Sequence, residues 1–454
     1  MKKIALSVAG SDSSAGAGIQ ADLKTFTALG VYGCTAVTAI TSQTGSGISG
    51  ILQIPPKMIE TQIRTILKEI SPDAIKIGMV YGKKTINSIR KSLEGSKIPV
   101  ILDPVMIAGT GEPLLDPDAV AYLTSNLLPI ATMITPNVFE AETLSGLKIT
   151  SMQSAVDAAQ KIKKMGPDNV VLTGGHLPGR FVIDVIIDTR NRIFKISNRR
   201  LRYDRMHGGG CTFSASLTAF IARNFPTVYA CKMANQFTHV SLKNRVIIGS
   251  HLIVSSQFSK LYDFAERYEV YVDLRRAIDL IKATPYFGRL IPETQSNIGY
   301  SITEPKHISD VMAINGRIVR VGDNARLASG LGFGASKHVA SAILSYMRLK
   351  PFMRSAMNIK YDSKIISIAG KIFIVANYDR TKEPKKLKKE EGHSISWGVT
   401  QALGNNPSAD IIYHKGDFGK EAMTLVFAST PTEVIKKITR ILKDYLVLDQ
   451  ERLL

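Results

Sequence analysis

The chain has 454 residues, 44% hydrophobic and 21% charged, which is too long for one ordinary core and describes a globular protein of two or three domains. No apolar run reaches the length of a membrane span and no secretory pattern precedes the first strand-like run. The three cysteines, Cys34, Cys211 and Cys231, lack metal-ligand spacing, so a reducing cytoplasm is the expected setting. A net charge of +20 raises nucleic-acid binding, but the basic residues are spread along the chain. The densest run, 382–389, is followed by Glu390 and Glu391 and carries no aromatic interleaving. Small anionic molecules are therefore the expected partners, with neither nucleic acid nor membrane among them.

In chain order, residues 4–9 read as an apolar strand running into a loop with glycines at 10, 16 and 18, and 19–29 as a helix with one apolar face. Strands follow at 34–40, 74–77, 99–102, 131–134 and 169–172, with a helix at 58–70. Three of these strands stop at turn or polar pairs: Asp103-Pro104, Pro136-Asn137 and Gly174-Gly175. Continuous apolar strands alternating with helices predict a parallel sheet covered on both faces, an α/β fold. Residues 182–187 and 193–196 flank a turn and read as a hairpin. Ligands bind such sheets at the carboxyl edge, so Asp12, Gln43, Asp103, Asn137, Glu140 and the stretch 208–211 should converge there.

That last stretch lies in MHGGGCTFSAS, residues 206–216, where Gly208, Gly209 and Gly210 lead into a helix. Glycines let a backbone approach a ligand closely, and first-turn N–H groups with the helix dipole make an anion site. Cys211 falls in the first turn, where the same field would lower its thiol pKa; the alternative is a buried, inert cysteine. Helices at 213–224 and 228–244 precede a change of texture at 246–259, where a domain boundary is placed. Beyond it come a helix at 274–283, a polar stretch at 292–301, a strand at 318–321 and a helix at 336–347. Strands at 364–368, 372–376, 411–414 and 424–428 and a terminal helix at 432–446 complete a second, smaller α/β or α+β domain.

The segments AGSDSSAGAGIQADLKTFTALGVYGC, TAITSQTG, KIGM, LDPVM, ITPNVFEAETLSG, GGH and HGGGCTFSAS occur in the order found in one kinase family. The first half, residues 1–255, resembles a hydroxymethylpyrimidine/phosphomethylpyrimidine kinase of the ribokinase-like fold. The resemblance implies ATP as co-substrate, Mg²⁺, and two successive phosphorylations of a pyrimidine alcohol. It implies that Asp22 and Gln43 bind the aminopyrimidine, and that Met79 and Val105 sandwich its ring or are plain core. Gly208, Gly209, Gly210 and Cys211 would bind the transferring phosphoryl group, with Cys211 where many ribokinase-like enzymes carry an aspartate base. Glu140 with Asp103 would organise Mg²⁺, or Glu140 would simply serve its helix dipole. Two departures stand out: Thr173 replaces a lysine common before the Gly174-Gly175 pair, and Gly209 replaces a hydroxyl residue.

The second half, residues 265–454, is similar to ThiN-type thiamine-phosphate synthase domains through PETQSNIGYS, NGRIVRVGD, GFGASKHVA and DIIYHKGDFGKEAM. The implied reaction joins the pyrimidine diphosphate to a thiazole phosphate and releases pyrophosphate. Arg317 and His338 match catalytic positions, Arg317 toward the leaving pyrophosphate and His338 as donor or proton carrier. Gly332, Gly334, Ser336 and Lys337 would cradle phosphate. Asp417 and Glu421 would hold Mg²⁺ or the second substrate, or be solvated carboxylates. A homo-oligomer is the family expectation. The competing expectation is a kinase joined to a domain that senses thiamine phosphates without making them.

Overall fold

The computed structural model describes residues 1–44, 47–109, 111–175, 177, 179–201, 207–249, 252–384, 393–417 and 419–450. The chain divides into two compact units, Met1–Tyr262 and Asp263–Leu454.

The first unit is built on nine strands: β1 (Ile4–Asp12), β2 (Tyr32–Thr44), β3 (Gly47–Gln53), β4 (Ala74–Ile77), β5 (Val100–Leu102), β6 (Met133–Ile134), β7 (Val170–Leu172), β8 (Phe181–Ile187) and β9 (Ile193–Arg199). Their order is β3-β2-β1-β4-β5-β6-β7-β8-β9. The six strands from β2 to β7 run parallel, while β3, β8 and β9 are antiparallel additions at the edges. Alternate residues feed opposite cores. Leu6, Ile75 and Leu102 pack with Ile59, Ile63, Ile86 and Ile89 of two helices on one face. Ile101, Met133 and Val171 pack with Phe213, Leu217 and Phe220 of the helix Gly209–Ala222 on the other. Both faces are therefore covered, which is why the central strands read as unbroken apolar runs. The ribbon β10 (Val246–Ile248) with β11 (Leu252–Val254) follows, occupying the region where the sequence changes texture.

The second unit carries β12 (Ile298–Ser301), β13 (Val311–Ile314), β14 (Ile318–Val321), β15 (Asn324–Leu327), β16 (Leu331–Phe333), β17 (Ser355–Lys360), β18 (Val375–Asn377), β19 (Ile411–His414) and β20 (Met423–Ala428). Seven of these form a sheet of order β16-β13-β12-β17-β20-β19-β18, antiparallel except for β18 beside β19. One face packs against the helix Ser259–Ala283 and the helix Pro431–Gln450 through Leu274, Ile278, Ile438 and Ile441. The other packs against the helix Lys337–Met347 through Val339, Ile343 and Tyr346. The strand expected at 364–368 is instead part of the helix Ser363–Ile372. Its β-branched residues suggested a strand, but Ile365, Ile368 and Ala369 are buried at helical spacing. Asp362 caps the helix by accepting from the Lys364 N–H, a start signal the sequence reading passed over.

Candidate active site

A cavity of 1240 Å³ opens at the carboxyl edge of the first sheet, lined among others by Asp12, Gln43, Lys76, Met79, Asp103, Val105, Glu140 and the stretch 207–211. Gly208 adopts a left-handed φ of 85°, and a Cβ there would stand 1.9 Å from the Gly16 carbonyl oxygen. Only glycine fits, and this turn starts the helix Gly209–Ala222, whose first N–H groups have no partner within the helix. The stretch 208–211, expected to bind an anion, thus lies at the cavity wall. At Gly10 a Cβ would meet Met79 Sδ at 2.8 Å, so a larger residue there would push the Met79 side chain aside. Met79 and Val105 both line the cavity and pack beside Ala108 and Leu114, so wall and core are one surface here.

Asp22 does not join them. It is fully buried, accepts from Ser7 Oγ at 2.5 Å, and lies 2.6 Å from Lys76 Nζ. This corrects its expected contact with the pyrimidine: Asp22 holds a cation that the sequence reading missed. Lys76 is fully buried in β4, with Asp103 Oδ2 3.9 Å away. Burial opposes the Lys76 charge, but Asp22, Cys211 and Asp103 together carry its pKa above the ordinary value. Asp103 in turn accepts from Ser214 Oγ at 2.7 Å, and Ser214 sits in the helix that carries the anion loop. The chain Ser7, Asp22, Lys76, Asp103, Ser214 therefore fixes that helix against the sheet. The clue was a lysine inside the run Ala74-Ile75-Lys76-Ile77, since a charge in a doubly covered strand demands a buried partner.

Cys211 faces the cavity, yet burial pushes its thiol up to about 12, overcoming the pull of Lys76. The thiolate expected from the helix field is absent, because desolvation outweighs the dipole. Glu140 closes a capping box with Asn137: its N–H donates to Asn137 Oδ1 while its carboxylate accepts from the Asn137 N–H, both at 2.9 Å. Burial, then the charge of Asp103, pushes Glu140 up to about 8. Two carboxylates thus face one cavity wall and oppose each other's ionisation, a fit for a divalent cation that keeps waters and phosphate oxygens as its other ligands. Thr173 lines the cavity, and so does Arg200, whose guanidinium donates to the Gly175 carbonyl at 2.7 Å. His207, also unassigned by the sequence reading, lies 3.0 Å from Asp12 and 3.1 Å from Gln43. His176, residues 202–206 with Met206, residues 385–389 of the basic run, and Phe418 lie outside the described residues.

In the second unit Arg317 donates to the Thr294 carbonyl at 3.4 Å. Glu421 accepts from the Glu293 and Thr294 N–H groups at 2.9 and 3.0 Å, so both residues meet the polar loop before β12. Asn297 is buried and accepts from the Ile314 N–H at 3.1 Å while donating to the Gly316 carbonyl, which fixes the turn leading to Arg317. Gly334 takes a left-handed φ of 75° ahead of Ser336, which stands just before the helix that Lys337 and His338 open and makes no side-chain cap hydrogen bond. Gly332 lies in β16, where a Cβ would meet Asn315. Asp417 pairs with Lys420 in a tight turn just before Glu421. The β13–β16 register pairs Ile314 with Leu331 and Met312 with Phe333. Arg317 therefore follows one end of this ladder and His338 the other, so the two expected catalytic residues are not neighbours along it.

A mostly parallel sheet with a glycine-started helix, two buried carboxylates and a large cavity at its carboxyl edge fits a small-molecule kinase of the ribokinase-like class. The family model for phosphomethylpyrimidine kinase matches residues 12–255, and that for thiamine-phosphate synthase ThiN matches 273–440. A bifunctional thiamine biosynthesis protein ThiDN of Methanocaldococcus jannaschii is 30% identical over 97% of this chain and 99% of its own length. A hydroxymethylpyrimidine/phosphomethylpyrimidine kinase of Rhizobium meliloti is 39% identical over 55% of this chain and 94% of its own. Among solved structures, an ADP complex of Bacillus subtilis pyridoxal kinase is 34% identical, with a TM-score of 0.53, over 58% of this chain and all of that one. The chain belongs to the phosphomethylpyrimidine kinase family, in its bifunctional form fused to a ThiN domain.

Lys76→Met should lower stability by about 3–5 kcal/mol in urea unfolding, because it strands buried carboxylates, and Lys76→Met with Asp22→Asn should cost less. A single variant as stable as the parent would contradict the buried ion pair. A second expectation concerns pH. Glu140 titrates near 8 in the metal-free fold against an ordinary value of 4.5, so between these values the folded state holds the extra proton. Its contribution is fully present below the lower value and declines as pH rises through the higher one. Unfolding at about pH 5 and about pH 8.5 should show this decline, and Glu140→Gln should flatten it.

Proposed function

We infer that the chain is a bifunctional enzyme of thiamine biosynthesis. Its first unit phosphorylates hydroxymethylpyrimidine and then the monophosphate from ATP, and its second couples the resulting diphosphate to thiazole phosphate, giving thiamine phosphate and pyrophosphate. The observation that carries this is similarity to the ThiDN protein along 97% of the chain, supported by a cavity lined by residues 207–211.

In the kinase, Gln43 reads the pyrimidine edge and Met79 with Val105 flank the ring. Asp103 and Glu140 would hold Mg²⁺, which neutralises the phosphate oxygens of bound ATP. Backbone N–H groups of residues 209–211 stabilise the transferring phosphoryl group as the substrate hydroxyl oxygen bonds to phosphorus and the bond to ADP breaks. A loose transfer of this kind asks little of a base, which suits the neutral thiol of Cys211. Arg200 takes over the phosphate contact that a lysine at position 173 would make. In the second unit Arg317 stabilises the leaving pyrophosphate, and Ser336, Lys337 and His338 bind phosphate at their helix start. A homo-oligomer working in the cytoplasm belongs to the same reading and rests on resemblance; among the described residues no helix is long and apolar enough to cross a membrane.

Arg317→Ala should abolish thiamine phosphate formation, by about a hundredfold or more if the guanidinium faces the leaving group, while both phosphorylations continue. Pyrimidine diphosphate should then accumulate in a mass-resolved product assay. An equal fall in phosphorylation would contradict the division of labour.

A further inference from the structure

We propose that His207, anchored on Asp12, fixes the direction in which the Gln43 amide faces and thereby makes the cavity selective for an amino-substituted ring edge over the corresponding carbonyl edge. This rests on the reading of Gln43 as the residue that meets the pyrimidine.

Asp12 is an acceptor with every approach filled. Its Oδ1 accepts from the Ser14 N–H and hydroxyl, both at 2.8 Å, and its Oδ2 accepts from the Gly16 and Ala17 N–H groups at 3.0 and 2.8 Å. Burial opposes its ionisation, but these bonds and the one from His207 win and hold its pKa at about 2. A carboxylate cannot donate, so the His207 Nε2 that lies 3.0 Å from Asp12 Oδ2 must carry the hydrogen. The same Nε2 is 3.1 Å from one end of the Gln43 amide. The other end lies 3.4 Å from Thr41 Oγ1. Thr41 has a single hydroxyl hydrogen, and it goes to the Ser11 carbonyl at 3.0 Å. Toward Gln43 that hydroxyl can only accept.

The amide nitrogen is placed facing His207 and its oxygen facing Thr41. Donor would then meet donor at one end and acceptor meet acceptor at the other. A half-turn of the amide leaves the heavy atoms in place and resolves both conflicts: the oxygen shares the single Nε2 hydrogen of His207 with Asp12 Oδ2 in a three-centre bond, and the nitrogen donates to Thr41. One amide hydrogen and one oxygen lone pair then remain for the cavity.

That fixed pair has a consequence for substrate choice. An aminopyrimidine edge offers a ring nitrogen that accepts beside an amine that donates. The carbonyl counterpart offers a ring N–H that donates beside an oxygen that accepts. A freely turning glutamine amide could serve either, whereas one locked on both sides serves only the first. His207 is well placed to do this. Its own N–H donates to the Ile253 carbonyl at 2.9 Å, and its ring fills the space where a Cβ on Gly16 would stand 2.4 Å from Cδ2. His207 is thus a positioning residue, and it immediately precedes the phosphate-binding turn.

The test is the ratio of kcat/KM for hydroxymethylpyrimidine to that for its analogue with a ring carbonyl in place of the amine. The parent should favour the amine by about a hundredfold or more, since each mismatched edge leaves buried polar groups unpaired. His207→Ala should cut that ratio about tenfold or more, the worth of one or two hydrogen bonds. His207→Gln, which keeps a donor toward Asp12, should restore most of it. A loss of activity on both substrates with an unchanged ratio would reduce His207 to a structural part and overturn the inference. Gln43→Ala separates this from the underlying reading. If that variant keeps the parent's ratio, Gln43 does not meet the ring and both fall. If it loses the ratio while His207→Ala retains it, the role of His207 alone is refuted.

Discussion

A lysine ammonium buried between two carboxylates is the contact on which the first unit depends. Lys76 has no water to turn to, so its charge must be met by Asp22 at 2.6 Å and by Asp103 at 3.9 Å. Asp22 comes from the first helix, Lys76 from the middle of the sheet and Asp103 from the end of the next strand. Ser214 extends the set to the helix that opens with the anion loop. A network of this kind is costly when half-satisfied, so it tolerates one arrangement of these four elements. The first-turn N–H groups of that helix inherit that rigidity, which is what the phosphate site proposed there would require.

The cavity above this network has two chemically different ends tied together by short segments. Asp12 organises the turn Ser14 to Ala17 through four hydrogen bonds and also reaches His207 across the cavity wall. Gly208, the next residue, can take its left-handed turn only because it lacks a Cβ that would strike the Gly16 carbonyl, and Gly16 lacks one that would strike the His207 ring. Gln43 and residues 208–211, proposed above to meet the ring and the phosphate, are consequently parts of one packed construction. The expected residues of the second unit lie at loop and helix starts around β13 and β16, with the Thr294 loop serving both Arg317 and Glu421.

Much of the kinase half was legible because its physics is local. Apolar runs that stop at Asp103, Pro136 or Gly174 announce parallel strands and their carboxyl ends, and three glycines before a small-residue run announce the left-handed turn and helix start at Gly208. What escaped depends on partners distant in sequence. Nothing near Lys76 shows that Asp22 will meet it, and resemblance located Asp22 in the motif without saying which way it points. The Cys211 thiol was expected to be lowered by a helix dipole, but its pKa is set by how much water reaches it, a property of the folded surroundings. Residues 364–368 misled because β-branched side chains favour strands only weakly, and Asp362 with a buried helical face overrode them. That Arg317 and His338 follow opposite ends of the β13–β16 ladder is set by strand register, which hydrophobic pattern does not specify between short strands.

The account stands or falls on one chain making thiamine phosphate from its separate precursors. The decisive measurement gives the purified protein ATP, Mg²⁺, hydroxymethylpyrimidine and thiazole phosphate, and resolves the products by mass. Thiamine phosphate appearing with pyrophosphate, after transient pyrimidine monophosphate and diphosphate, is the expected result. Pyrimidine diphosphate that accumulates without any thiamine phosphate would contradict it and leave the second unit a binding domain.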